Sequence, residues 1–343
     1  MRLIAPEAVG LSSERLARIG PAVRARIEKQ EMAGAITLVA RQGQVAHFQC
    51  QGMTDKGPNW SGGSGRSLSG TSSPIPRASA TPTPQARPRR SCWPEAMGNP
   101  HAADVAGEPS LEGWVSRLVQ APLAHQPGAR WTYGFSIDVL GRLIEVISGK
   151  PFDAFLKERL FGPLGMPDTD FYAPPEKHSR LAKVYGMRPE GGLERVEWST
   201  NGYHRKPGFL SGGGGLVSTA ADYLRFAQML LNGGELDGER VLGRRTVRAM
   251  GQNHASRLPY PVFPAEWRRH LGCAMGLGMR TVADEAAVGI NGSLGTIGWS
   301  GLATTDFWVD PQEELIGLFL AQMIPGPGAV HDQCMTLVYQ ALV

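Results

Sequence analysis

After Ser12 the apolar residues Leu16, Ile19, Val23 and Ile27 recur at helical spacing. A helix with one buried face is predicted there, and Ser12 or Ser13 is placed to cap it. The next stretch, AGAITLVARQGQVAHFQCQG, changes character. Its runs 35–40 and 45–50 predict two strands joined by a turn at Gln42-Gly43. A second strand pair is predicted near the other end, over 306–309 and 315–321, around the turn Asp310-Pro311. An amphipathic helix over 330–342 follows. Strands therefore lie at both ends of the chain, with helices outside them. The economical arrangement is an α/β fold: one antiparallel sheet formed from both termini and flanked by helices.

The middle of the chain divides in two. SLEGWVSRLVQAPLAHQPGARW reads as a short helix followed by a Pro-Gly turn. Ser136 then stands to cap a helix whose apolar face is Val139, Leu140, Leu143, Ile144 and Ile147, ended by Gly149 and Pro151. Another helix is predicted over 152–160. The glycine run 212–215 leads into Thr219-Ala220-Ala221-Asp222, a capping box with Asp in place of Glu. The helix it opens carries Tyr223, Phe226, Ala227, Leu230 and Leu231. These helices add a helical subdomain to the sheet.

Residues 58–108 break the pattern. They show no hydrophobic period, contain no lysine and are crowded with Pro, Ser, Gly and Arg, as in SGGSGRSLSGTSSPIPRASATPTPQARPRR. Such a composition buries too little apolar surface to offset its conformational entropy, so disorder is expected. A structureless stretch of that length is unusual inside a compact domain. The chain is read as a single domain spanning 1–343, in which 58–108 is an anomalous segment.

Composition narrows the function classes. Hydrophobic residues are 42% and charged residues 19% of 343 positions, an ordinary globular balance. The net charge of +4 is spread along the chain and leaves no footprint for nucleic acid. The segment MRLIAPEAVGLSSERL has no apolar run of signal-peptide length, and no stretch approaches the roughly 18 apolar residues of a membrane span. A cytoplasmic protein without membrane contact is expected. Cys50, Cys92, Cys273 and Cys334 are far apart and form no CxxC pair. Buried free thiols are therefore expected rather than disulfides or zinc ligands.

Common catalytic signatures are absent. No serine sits in G-x-S-x-G, no H-E-x-x-H occurs, and the eight histidines are scattered. SGGGGLVSTAAD lacks the Gly-Lys-Ser/Thr ending of a phosphate loop, so a close-packed turn is the expected role of its glycines.

Several phrases do resemble a known family. WTYGFSIDVLGRLIEVISGKPFDAFLKERLFGPLGMPDTDF, GGGGLVSTAADYLRFAQMLLNGGELDG and IGWSGLATTDFWVDPQEELIGLFLAQ are similar, in this order, to landmarks of the class C β-lactamase fold. PEAVGLSSERLARI and GAITLVARQGQVAHF match as well. Within that fold the phrases look closest to the family VIII carboxylesterases. The resemblance covers about residues 5–57 and 109–343.

It implies three motifs meeting in one cleft. In S-x-x-K the serine attacks a carbonyl and the lysine one helical turn later helps remove its proton. In Tyr-x-Asn or Tyr-x-Ser the tyrosine relays that proton to the leaving group. Lys-Thr-Gly, or Trp-x-Gly in many esterases, supplies a strand whose backbone N–H groups help form an oxyanion hole. Tyr133, in Tyr133-Gly134-Phe135-Ser136, matches the tyrosine. Trp299-Ser300-Gly301 matches the strand motif, and the Leu302 N–H corresponds to the oxyanion donor. Ser300 is read as the filler position of Trp-x-Gly.

The nucleophile is unknown, because no serine in the chain has a lysine three positions later. The family would place S-x-x-K inside 58–108. Two explanations stand. The stretch is damaged or off-frame coding sequence, or this is a paralogue that lost its nucleophile and binds a ligand instead. The abrupt junctions and the retained catalytic phrases favour the first.

The resemblance thus implies hydrolysis of a small carboxylic ester, or an amide, through an acyl-serine intermediate without metal or cofactor, impaired in this chain. A catalytically inactive binding paralogue is one alternative; a β-lactamase or D-amino-acid peptidase is another. Trp299 stands where β-lactamases carry a cationic side chain, which tilts the substrate towards neutral esters. The oligomeric state is not legible in the sequence.

Overall fold

In the computed structural model, strands from both ends of the chain meet in one sheet. The structure describes residues 1–52, 68–71, 110–123, 125–196, 203–258, 271–289, 291–324, 326 and 328–343. The amino-terminal part supplies α1 (Ser13–Leu16), α2 (Ile19–Glu28), β1 (Gly34–Arg41) and β2 (Gln44–Gly52). Then come β3 (Leu68–Thr71), α3 (Leu111–Leu118), α4 (Ser136–Ser148) and α5 (Phe152–Leu156). A small hairpin of β4 (Tyr185–Met187) and β5 (Leu193–Arg195) precedes β6 (Leu216–Thr219) and α6 (Ala220–Leu231). Next are β7 (Glu235–Leu236), β8 (Glu239–Arg240) and α7 (Arg244–Met250). The chain closes with β9 (Cys273–Met275), β10 (Arg280–Val282), β11 (Ile297–Ser300), β12 (Thr305–Asp310), β13 (Leu315–Ala321) and α8 (Gly328–Gln340).

The main sheet runs β2-β1-β13-β12-β11-β10-β9, and every adjacent pair is antiparallel. β1 and β13 lie side by side with Leu38 opposite Leu318. The turn joining β1 to β2 needs left-handed backbone at both positions, and Gln42 (φ 52°) and Gly43 (φ 74°) adopt it. Strand alternation divides the interior into two cores. Ala35, Val39, Trp308 and Phe319 point to a layer holding Ile19, Val23, Val330 and Val338 of α2 and α8. Leu38, Phe307, Val309 and Leu318 point to the opposite layer with Ala227 and Leu230 of α6 and Val247 of α7. Gly317 is required in the first layer, because a Cβ there would lie 2.0 Å from the Trp308 ring. A third cluster, around Trp114, Phe152, Phe209 and Leu210, makes the core of the helical subdomain.

Several local expectations change. The helix after Ser12 is two helices: Ser12 accepts from the Arg15 N–H as α1's cap, and the break falls at Ala17-Arg18. Pro21 accounts for it, since a continuous helix would clash its ring with the Ala17 carbonyl and lack the N–H bond. Ser136 does not cap α4; Phe135 holds that position, without a side-chain bond. The capping box of α6 is half-formed. The Thr219 hydroxyl accepts from the Asp222 N–H, while the Asp222 carboxylate is taken by the Asp168 N–H and the Thr169 hydroxyl. The helix after Phe152 ends at Leu156 and continues to Phe161 as a wider π turn.

The largest difference concerns α4. Its Val139, Leu140, Leu143 and Ile147 are exposed. The helix instead buries Asp138 and Gly141, the latter close against Leu111 and Phe152.

Within the segment expected to be disordered, Leu68–Thr71 forms β3, paired antiparallel with β6. The rest of 58–108 lies outside the described residues. Cys273 and Cys334 are buried free thiols and Cys50 is half-buried; Cys92 lies outside the described residues. Burial pushes the Cys334 thiol up to about 12. Among the described residues no helix is long and apolar enough to cross a membrane.

Candidate active site

The pairing of β11 is uneven. β10 accompanies it only at Arg280 opposite Gly298 and Thr281 opposite Ile297. β12 continues alongside to Ser300 opposite Asp306. Trp299 and Ser300 therefore keep one ladder neighbour and turn their other edge to a cleft of about 750 Å³, which Gly301 also lines. The Gly301 N–H donates to the Thr305 carbonyl at 2.7 Å, closing the turn into β12. Leu302 follows in that turn. Its N–H has no hydrogen-bond partner among the described residues, but Leu302 is not among the residues lining the cleft, unlike the three that precede it.

Tyr133 enters from the opposite side, on the loop before α4. Its ring lies parallel to that of Trp299, with centroids 6.4 Å apart and an interplanar angle of 2°. Trp131 stands 6.1 Å from it at 59°. The structure thus brings Tyr133 and the Trp299-Ser300-Gly301 strand to one cleft. Phe135, at the third position of the tyrosine motif, is not polar; it packs edge-on against buried Trp114 at 4.8 Å.

The loop bearing Tyr133 is tied down through the first turn of α4. Buried Asp138 accepts from the Ser211 hydroxyl at 2.5 Å and from the Gly213 N–H at 3.3 Å. Burial, the largest influence, raises the carboxyl above its ordinary range, against the pull of these bonds. Gly212 makes this approach possible: a Cβ there would sit 2.2 Å from the Ile137 carbonyl oxygen. The glycine run is the close-packed turn expected of it.

Beneath Ser300 lies a buried charged group. The Arg280 guanidinium donates to the Ser300 hydroxyl oxygen and to Asp306 Oδ1, both at 3.2 Å, and the Ser300 hydroxyl donates to Asp306 Oδ2 at 2.5 Å. His331 Nε2 lies 3.3 Å from Asp306 Oδ1. Tyr223, also lining the cleft, is raised well above the usual phenol range by burial and, secondarily, by the Asp306 charge. The remaining walls are largely apolar, including Phe226, Met250, Leu258, Met275 and Leu277.

The described lining holds three serines and no lysine. Ser211 and Ser300 donate to Asp138 and Asp306, and Ser136 opens α4. No Ser-Lys dyad exists among the described residues. Nor do three or more His, Cys, Asp or Glu side chains gather there as a metal site would need. Asp138, Arg280 and Asp306 carried no sequence signal. Their partners are distant in the chain, and charged residues of these types are common on surfaces.

Comparison with known proteins identifies the family and the fold. The beta-lactamase family profile matches residues 78–333. Protein Rv1367c of Mycobacterium tuberculosis is 37% identical over 225 residues, covering 62% of this chain and 53% of that protein. Esterase EstB of Burkholderia gladioli is 29% identical over 214 residues, 58% of this chain and 51% of its own. The chain spans about half the length of these curated relatives. Among solved structures, EstCE1, a hydrolase with promiscuous acyltransferase activity, superposes with a TM-score of 0.72 at 21% identity, covering 95% of this chain and 99% of its own. The fold is therefore the beta-lactamase-like α/β fold with its large antiparallel sheet.

Proposed function

The chain belongs to the beta-lactamase family, and from that premise we propose that its cleft is shaped for small neutral carboxylic esters and that this chain turns them over poorly. The observation that carries the reading is the parallel placement of Tyr133 and Trp299 across one cleft. In the lineage reaction a serine Oγ attacks the ester carbonyl as Tyr133 takes its proton. The tetrahedral intermediate collapses, the alkoxide leaves with the proton returned by Tyr133, and water then cleaves the acyl-serine. In this reading Tyr133 is the relay and the Leu302 N–H, next in the chain after Gly301 of the cleft, is the donor to the developing oxyanion. Trp299 in place of a cation, together with apolar walls such as Met250 and Met275, favours an uncharged substrate.

Turnover needs a nucleophile, and S-x-x-K is absent from the chain. The purified protein is expected to hydrolyse p-nitrophenyl butyrate at background and to take no fluorophosphonate label. Replacing residues 58–108 with an in-frame S-x-x-K segment from a related esterase is expected to restore both signals. Tyr133→Phe in that chimera should then lower turnover by roughly 10²–10⁴-fold. Stoichiometric labelling of the unmodified chain at any serine would refute the reading.

A second reading, a binding protein that holds an ester intact, draws support from the two cleft serines engaged by carboxylates. A chimera that stays inactive while the parent binds an uncleavable ester analogue would favour it.

A further inference from the structure

We infer that Arg280 and Asp306 are positioning residues which, through Ser300, fix the free end of β11 so that its backbone edge meets an ester carbonyl correctly. The inference rests on the reading of the cleft given above. Beyond Gly298 the strand loses its β10 partner, just where Trp299, Ser300 and Gly301 line the cleft. A strand end held on one side frays unless something replaces the missing ladder.

Arg280 does so. It is the β10 residue paired with Gly298, and its guanidinium reaches forward to Ser300 and across to Asp306. Ser300 closes the ring by donating to Asp306 at 2.5 Å. Three side chains from β10, β11 and β12 are thereby cross-linked directly under the Trp-x-Gly segment. His331 from α8 lies 3.3 Å from Asp306 and adds a group from a further element beside the ring.

The energetics favour a geometric role over a stabilising one. The Arg280 and Asp306 side chains are 4% and 3% exposed, so both charges are stripped of water. In such a pair attraction is largely offset by desolvation, and well-packed apolar replacements are often neutral or stabilising. The pair still contributes direction: one Arg280 donor and the Asp306 carboxylate, themselves joined by the second Arg280 nitrogen, hold the Ser300 hydroxyl in one place, two residues before the Leu302 N–H.

That separation of roles gives the test. Arg280→Met/Asp306→Leu replaces the pair with apolar side chains, and Ser300→Ala removes one corner without touching a charge. Both variants of the full chain are expected to melt within about 5 °C of the parent. Amide exchange at Gly301, whose N–H is bonded to Thr305, should nevertheless quicken roughly tenfold, the effect of one weakened hydrogen bond. The second readout is the Leu302 amide resonance during titration with the ketone isostere of benzyl butyrate, which no hydrolase cleaves. The parent should show a saturable shift, and the variants should need roughly tenfold more ketone for it.

Unchanged exchange and unchanged titration in a folded double variant would overturn the positioning role while leaving the cleft reading intact. Quickened exchange with no Leu302 shift in the parent would overturn both, because the strand would then be clamped for no carbonyl.

Discussion

Asp168 shows how one side chain can fix a turn of this fold. Arg180 grips its carboxylate through two bonds, at 3.0 and 2.6 Å, and Lys177 lies 2.7 Å away. The Arg180 bonds are the main reason that the carboxyl is held at about 2, below its ordinary 3.8. A carboxyl with a depressed folded-state value stabilises the protein fully above its unfolded value, and the contribution disappears as pH falls through the folded value. Asp168→Asn is therefore expected to cost on the order of 1 kcal/mol at neutral pH, allowing for solvent screening. The gap from the parent should close between about pH 4 and pH 2 in urea melts; a constant gap would contradict the assignment. Gly317→Ala makes a contrasting case, independent of pH. Its new methyl would meet the Trp308 ring, and overpacking of this kind typically costs about 1–3 kcal/mol in chemical denaturation. At this scale legibility followed sequence context. Tyr133 and Trp299 stood out through the phrases around them, whereas Arg280 and Asp306 acquire meaning only when β10, β11 and β12 lie side by side.

Among the elements, α4 separates what periodicity reports from what folding provides. The 3.6-residue recurrence of Val139, Leu140, Leu143, Ile144 and Ile147 correctly marked a helix, Ser136–Ser148. It did not mark a buried face: of the five, only Ile144 packs, half-buried, against the Trp114 cluster, while Leu143 is 48% and Ile147 77% exposed. Periodicity records which side of a helix gains from burial, while actual burial depends on what the rest of the chain places there. Gly141, with no hydrophobic signal, is the position that packs against α3 and α5. Leu140→Gln/Leu143→Gln is accordingly expected to change stability by less than about 0.5 kcal/mol. It should also reduce binding of the dye ANS, because a contiguous apolar patch is lost. A loss of several kcal/mol would mean that the face is covered in solution. Local chemistry explains the other departures: Pro21 splits one periodic run into α1 and α2, and the Asp222 carboxylate is drawn to Asp168 and Thr169 instead of completing its box.

For the whole molecule, the sheet was legible because its strong strands are near the chain's ends and alternate clearly, as β1 and β13 do. The short strands β9 and β10 were not, since three residues each carry too little pattern to separate from loop. The site was readable only in part for the same reason, as β10 brings Arg280 to Ser300. Long-range closure of this kind bears on cooperativity. The two main cores share β1, β12 and β13, one on each face of the same strands. α8 is tied to the amino terminus, with the Ser12 N–H donating to the Ala341 carbonyl and the Val343 N–H to the Gly10 carbonyl. The helical subdomain joins through Leu156 and Leu216, which pack in both its cluster and the sheet's, and through Asp138 on Ser211. The described parts are therefore expected to unfold as one unit, with calorimetric and van't Hoff enthalpies in agreement. Val338→Asp is the sharper probe. It buries a charge at a site 1% exposed on the face away from the cleft, which should cost several kcal/mol. If the molecule is a single unit, the signal of Trp114, in the core of the helical subdomain, will be lost at the same lowered midpoint as that of Trp308 in the sheet. A Trp114 signal that keeps its original midpoint in that variant would show that the helical subdomain folds independently of the sheet.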